Sequence, residues 1–185
     1  MENPEAEVEV WAMDEHRVGL QPTTQRGWSP KGKRAIRAVR PGYKWVHVWT
    51  WVHPATGRFQ TWLTNKQDIE LHNELLVQVA EAMGVGPNRR VLVVLDGASW
   101  HTSAKVRVPQ YMELFFLPPF TPELQPTERF WPLLDEPLVG LPAKNIEEVE
   151  EVLAQRLGYL DHHPEQVRGR TLFWWWPEQP STFPN

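Results

Sequence analysis

The run Val91-Leu92-Val93-Val94-Leu95, closed by Asp96, constrains the fold more than any other stretch. Successive side chains of a strand point to opposite faces of its sheet, so an unbroken apolar run must be covered on both sides. Strands of that kind pair in parallel inside a sheet flanked by helices. The exit onto Asp96 puts a carboxylate at the carboxyl end of the strand, where open α/β sheets bind ligands. Gly97, Ala98 and Ser99 keep that exit uncrowded.

Other stretches supply the rest of the sheet. "VEVWAMD" (8–14) alternates, with Val8, Val10, Ala12 and Asp14 on one face, and reads as a strand ending on its aspartate. "YKWVHVWTWV" (43–52) alternates as well; "HPATG" then offers turn chemistry and "RFQTWLT" (58–64) completes a hairpin. Residues 68–83 carry apolar positions at helical spacing, with Gly84 placed to terminate the helix. A short helix is expected near Thr102 or Ser103, and "YMELFFL" (111–117) reads as a fifth strand. A last amphipathic helix begins at Asn145, a good N-cap, and runs through Leu157, with Glu147 and Glu148 where the helix dipole favours them. Three strands, helix, strand, helix, strand and further helices predict a mixed α/β sheet, three strands antiparallel and two parallel, with helices on both faces.

Composition excludes several classes. A chain of 185 residues fits one domain, taken as 1–185 with a core of about 8–160 and a tail of 161–185. The absence of cysteine rules out disulfides and thiolate zinc sites, and suits a reducing cytoplasm. The acidic start "MENPEAEVEV" lacks the apolar core of a signal peptide, and no apolar run approaches the roughly 20 residues of a membrane helix. The expectation is a soluble cytoplasmic protein without a membrane partner.

The net charge of −4 conceals an uneven distribution. No Asp or Glu occurs from His16 to Gln67, a stretch holding ten of the nineteen Lys and Arg. Such a block is either a solvated face or an electropositive surface for a polyanion such as DNA, because Lys and Arg that neutralise phosphates release counterions. On the second reading Arg26, Lys31, Lys33, Arg34, Arg37, Arg40 and Lys44 are the DNA-binding candidates.

The carboxylates give the sharper signal. In "LPPFTPELQPTERFW" (117–131), Pro126 can occupy the first position of a helix, with Gln125 as its cap and Glu128 at its third position. At that position the positive end of the helix favours a carboxylate, the kind of ligand a hard cation such as Mg²⁺ requires. Glu123, beside Pro122, is the second choice. Asp14, Asp96 and Glu128 converging would suit two divalent ions about 4 Å apart, an arrangement used in phosphodiester chemistry. The competing reading is three unrelated structural carboxylates, since an aspartate leaving a strand is often only a turn-former.

"WAMDEHRVGL", "VLDGASWH" and "LPPFTPELQPTERFW" together closely resemble the three signature blocks of DDE transposases, in the bacterial insertion-sequence branch of the Tc/mariner superfamily. The resemblance implies a ribonuclease H-like fold with Asp14, Asp96 and Glu128 as catalytic and metal-binding carboxylates for two Mg²⁺ or Mn²⁺ ions. It also implies cleavage of transposon ends, strand transfer into target DNA, and a homodimer on paired ends. His101 keeps the family's histidine, whereas Gly97 stands where an asparagine is common. Glu15, on the face opposite Asp14, and His101 are given supporting roles, as is Glu123.

Two departures stand out. Family members carry N-terminal helix-turn-helix domains that read transposon ends, and none is expected within this chain, which points to a separately encoded recognition domain or an isolated catalytic domain. Pro132 follows Glu128 closely and should make the helix kink or restart, with acidic Asp135 and Glu136 beyond it. A decayed remnant that binds DNA or a partner, and a stand-alone ribonuclease H-like nuclease, stay open as alternatives. His72, His162 and His163 read as surface histidines, Ser99 and His101 lack the context of a nucleophile pair, and "FWWWP" (173–177) reads as packed onto the core, with an exposed dimer contact as the alternative.

Overall fold

A computed structural model describes residues 5–21, 29–33 and 42–177. Its sheet has the order β3-β2-β1-β4-β5. The strands are β1 (Glu7–Gly19), β2 (Trp45–His53), β3 (Arg58–Thr64), β4 (Arg89–Leu95) and β5 (Met112–Phe116). β1, β2 and β3 pair antiparallel, while β4 pairs parallel with both β1 and β5. The mixed five-stranded sheet read from the sequence is therefore present, with Val91–Leu95 near its centre.

Alternation along the strands separates two cores. Trp11 and Met13 of β1, Trp49 and Trp51 of β2, and Val91, Val93 and Leu95 of β4 face helix α1 (Ile69–Met83), which returns Leu75, Leu76, Val79 and Met83. The opposite face presents Val18, Val46, Val48 and Val52 to three helices: α2 (Trp131–Asp135), α3 (Ile146–Asp161) and α4 (Pro164–Thr171). Each fully buried Leu or Val on these faces contributes about 1.5–3 kcal/mol. The signals at the helix ends act as their chemistry requires. Asp68 accepts the Leu71 amide, Gly84 closes α1 in the left-handed conformation at φ 68°, and Asn145 accepts the Glu148 amide. Gly57, at φ 79°, has a different reason: a Cβ there would stand 1.9 Å from the Pro164 carbonyl oxygen, so the β2–β3 turn and α4 could not meet.

Several expectations need correcting. β1 does not stop at Asp14 but continues to Gly19, because β2 runs alongside it from Ala12↔Val52 to Gly19↔Trp45. Asp14 therefore sits within a strand. No helix forms near Thr102; the chain makes a turn there, with the Val106 amide donating to the Ser103 carbonyl. His72 is fully buried in α1 and is no surface residue. The C-terminal tryptophans divide, Trp176 packing on Ala12 and Val94 while Trp174 is 95% exposed. Among the described residues no helix is long and apolar enough to cross a membrane.

Candidate active site

The register of β1 and β4 brings two carboxylates together. Ala12 pairs with Val94, and two residues further along each chain stand Asp14 and Asp96. Asp14 lies on the face away from α1, opposite Trp11 and Met13, while Asp96 follows the end of β4. The third carboxylate arrives on a 3-10 helix, Pro126–Arg129, whose N-cap Gln125 accepts the Thr127 amide as the Pro126 spacing predicts. The same Gln125 side chain is buried and donates from Nε2 to the Met13 carbonyl at 2.9 Å. One side chain thereby starts the helix and anchors it to the residue before Asp14. Asp14, Asp96 and Glu128 all line a single cavity of 410 Å³, walled on its other side by Pro118, Pro119 and Phe120.

Pro132 has a structural consequence that serves the site. The 3-10 helix ends at Arg129, and α2 starts afresh at Trp131 with Pro132 in its first turn, where a missing amide costs least. This restart aims Trp131 at β1, where its Nε1–H donates to Asp14 Oδ2 at 3.0 Å. Asp135, at the end of α2, bonds His16 Nε2 at 3.0 Å, and the His16 ring stacks on Trp131. Glu136 pairs with Arg156 of α3. Both acidic residues after Pro132 are thus engaged within the protein.

The two aspartates differ electrically. Burial first of all, with the nearby charges of Glu128 and Glu15, pushes the Asp14 carboxyl up to about 7 against the Trp131 bond. Asp96 is held below the ordinary carboxylate range, chiefly by its hydrogen bond with His101 and also by the Ala98 amide. His101 Nδ1 lies 2.9 Å from Asp96 Oδ1, and Nε2 lies 2.8 Å from Glu15 Oε1. Burial alone would lower His101, but these two bonds outweigh it and lift it to about 9. His72, buried beside it, is driven down to about 4 by burial and by the His101 charge.

The other candidates fall in different places. Glu15 faces α1, as the alternation requires, and reaches Asp96 only through His101. Glu123 is exposed in the preceding 3-10 turn, Pro122–Leu124, and does not line the cavity. Lys31, Lys33 and Lys44 are exposed, whereas Arg26, Arg34, Arg37 and Arg40 lie outside the described residues. Of the remaining basic block, Arg17 covers the Trp45 ring, Arg58 pairs with buried Glu9 and Lys66 with Asp68. Trp131, His16 and Trp100 are contributors the sequence reading did not single out, and Gln125 was read as a cap but not as the anchor to Met13. The three reach the site through contacts with residues distant in the chain, which no local pattern announces.

A divalent cation fits this donor set. Three carboxylates supply hard oxygen ligands around one cavity, and Asp14, whose ionisation is opposed first by burial and then by the nearby Glu128 and Glu15 charges, would be stabilised as an anion by a cation there. Among the described residues, the one group of three ligand side chains with donor atoms all within 4.8 Å is a different set, Glu15, His72 and His101.

Residues 9–150 match the family described as DDE superfamily endonuclease. An uncharacterised protein of Sinorhizobium fredii, y4pE/y4sA, is 32% identical over 87 residues, which are 47% of this chain and 63% of that protein. Among solved structures, the Mos1 strand transfer complex superposes with a TM-score of 0.58 at 16% identity, covering 89% of this chain and 55% of that one. The catalytic domain of Mos1 mariner transposase gives 0.53 at 12% identity, over 89% of this chain and 84% of that domain. A chain of the simian T-cell lymphotropic virus intasome in complex with PP2A regulatory subunit B56 gamma gives 0.56 at 11% identity, over 100% of this chain and 62% of that one. The chain thus spans a little over half of the Mos1 chain seen in the strand transfer complex and less than two thirds of the Sinorhizobium protein. At such identities the structural likeness is one of fold, the ribonuclease H-like mixed sheet. On the match over residues 9–150, the chain belongs to the DDE superfamily endonuclease family.

Proposed function

We propose that this chain is the catalytic domain of a transposase, with Asp14, Asp96 and Glu128 as its catalytic and metal-holding carboxylates. The observation that carries the reading is their meeting in one cavity from a strand interior, a strand exit and a proline-started helix. The resemblance of the three sequence blocks to the family's signature points to the same residues. Two Mg²⁺ or Mn²⁺ ions held there would supply Lewis-acid charge to the attacking and leaving oxygens of an in-line phosphodiester displacement. The protein's own part is to hold the oxygens still. Trp131 fixes one oxygen of Asp14, His101 and Ala98 fix one of Asp96, and Gln125 sets the helix that carries Glu128. Asp14 must lose the proton that its buried position favours before it can ligate.

Water attacking a transposon-end phosphodiester frees a 3′-hydroxyl and leaves a 5′-phosphate. That hydroxyl then attacks target DNA, forming one phosphodiester and releasing another 3′-hydroxyl, with no external energy source. The basic residues Arg26, Lys31, Lys33, Arg34, Arg37, Arg40 and Lys44 would bind the DNA backbone, and a homodimer would hold paired ends.

Nicking of supercoiled plasmid in Mn²⁺ tests the assignment. Asp14→Asn, Asp96→Asn and Glu128→Gln should each lower the rate by about 10³-fold or more, while Glu123→Gln stays close to the parent. A fully active Glu128→Gln protein would remove the third carboxylate from the reading. Charge reversal at Lys33, Arg34 and Arg37 should weaken DNA binding and flatten its salt dependence, by about 0.9 in log-log slope for each phosphate that is no longer neutralised. Unchanged binding would move the DNA surface elsewhere.

A further inference from the structure

We propose that His101 is a positioning residue, pinned between Glu15 and Asp96 so that Asp96 offers one fixed oxygen to the active-site cavity. The inference rests on the assignment of Asp96 proposed above. Asp14 and Glu15 are neighbours in β1 and so point to opposite faces of the sheet. Glu15 would have no part in a site on Asp14's face, yet one imidazole carries its influence across. His101 Nε2 lies 2.8 Å from Glu15 Oε1, and Nδ1 lies 2.9 Å from Asp96 Oδ1. The His101 side chain is 0% exposed and that of Glu15 8%, whereas that of Asp96 is 57% exposed.

The bonding of Asp96 is one-sided. Oδ1 accepts the Ala98 amide at 3.1 Å as well as meeting His101, and Oδ2 receives neither bond. A carboxylate with one oxygen doubly engaged cannot swing to grip a cation with both. Asp96 is therefore preset as a one-oxygen ligand through Oδ2. The turn that begins at Asp96 also places the clamp, since the His101 amide donates to the Ala98 carbonyl at 2.9 Å. Behind it, the His72 ring lies 5.1 Å from that of His101, centroid to centroid, and 5.8 Å from that of Trp49. α1 thereby backs the clamp from within the core.

The same three side chains, Glu15, His72 and His101, could be read as a metal site of their own. Trp100 speaks against it, because its Nε1–H stands 3.3 Å from Glu15 Oε1 and 3.1 Å from His101 Nε2. A hydrogen-bond donor thus stands against two of the three ligand atoms a cation would need, and His72 meets the pair by ring contact alone, neither of its buried nitrogens having a hydrogen-bond partner among the described residues.

The test compares the Mn²⁺ requirement of plasmid nicking, and Mn²⁺ binding by electron paramagnetic resonance without DNA, across four variants. Supporting ligands of this sort change metal affinity by about 10–100-fold. His101→Phe should raise the Mn²⁺ concentration for half-maximal nicking by that factor, with the loss largely regained at saturating metal. His101→Asn keeps an N–H near the Nδ1 position and should recover most of the affinity. Glu15→Gln removes the charge behind Nε2 without touching Asp96, and should shift the requirement about 3–10-fold; it carries the test if His101→Phe does not fold. Asp96→Asn is the reference. If Asp96→Asn is inactive while His101→Phe and Glu15→Gln keep the parent's Mn²⁺ affinity, the clamp is overturned and the active-site assignment survives. If Asp96→Asn nicks normally, the assignment itself fails and takes the clamp with it. A Co²⁺ visible spectrum abolished by His72→Phe would also overturn the clamp, by showing a metal where hydrogen bonds are proposed.

Discussion

Asp14 and Asp96 stand at one level of adjacent strands and line one cavity, yet their surroundings oppose each other. Asp14 lies inside a strand, only partly exposed at the cavity wall and faced by other carboxylates, with a single indole N–H as the bond between its side chain and another side chain. Asp96 stands just past the end of its strand, more than half exposed, between a backbone amide and a histidine. The lesson concerns division of labour. Asp96 is stabilised as an anion by the protein itself, whereas Asp14 becomes a comfortable anion only with positive charge in the cavity.

The strongest way to sharpen this contrast is to replace each by asparagine. Both proteins should lose nicking by about 10³-fold, but thermal melts at pH 8 in EDTA should move in opposite directions. Asp14→Asn removes a strained charge and keeps an acceptor for Trp131, so it should be more stable than the parent. Asp96→Asn forfeits a charge-assisted bond with His101 and should be less stable, by about 1–3 kcal/mol before allowing for the solvent exposure of Asp96. Equal shifts of one sign would erase the contrast.

The pH dependence comes next in size. The folded pKa of Asp14, about 7, lies above its ordinary 3.8. Between those values the folded chain holds a proton that the unfolded chain has released. Stability from this group is therefore full below pH ~4 and is lost as pH rises through ~7, by on the order of 4 kcal/mol in all. His101 is also raised, from 6.5 to about 9, so its contribution is full below about 6.5 and fades as pH rises through 9. Mn²⁺ should offset the first loss, raising the melting temperature clearly at pH 7.5 and little at pH 5; Asp14→Asn should abolish that difference.

Smaller effects test the props of Asp14. Trp131→Phe deletes the N–H that opposes the upward push, and should move the acidic limb of the nicking profile alkaline by roughly one pH unit. Asp135→Asn breaks a partly buried pair with His16 at the far end of α2. It should cost less than about 1 kcal/mol and leave nicking within about twofold. A large loss from Asp135→Asn would mean that α2, and not the indole alone, holds Asp14 in place.

Much of this geometry is legible in the sequence because local chemistry encodes it. The alternation of β2, the unbroken run of β4, the Gly84 and Asn145 caps and the Gln125-Pro126 start are all short-range signals. What escapes is long-range. The apolar alternation fades at Asp14, so β1 reads as finished, but backbone pairing with β2 carries it on through Glu15 and His16. Those polar residues are accommodated by partners 86 and 119 positions away. His72 lies three residues after Ile69 and four before Leu76, a core position on α1 that the polarity of its type disguised. The turn at Ala98–Thr102 replaces the expected helix, and it brings His101 to Asp96 and Glu15.

Anomalous diffraction from crystals soaked in saturating Mn²⁺ above pH 7 measures the central claim most directly. The expected result is density for two ions about 4 Å apart in the cavity, touching Asp14, Asp96 and Glu128, with Oδ2 of Asp96 as its ligating atom. An empty cavity, or Mn²⁺ bound instead among Glu15, His72 and His101, would contradict it.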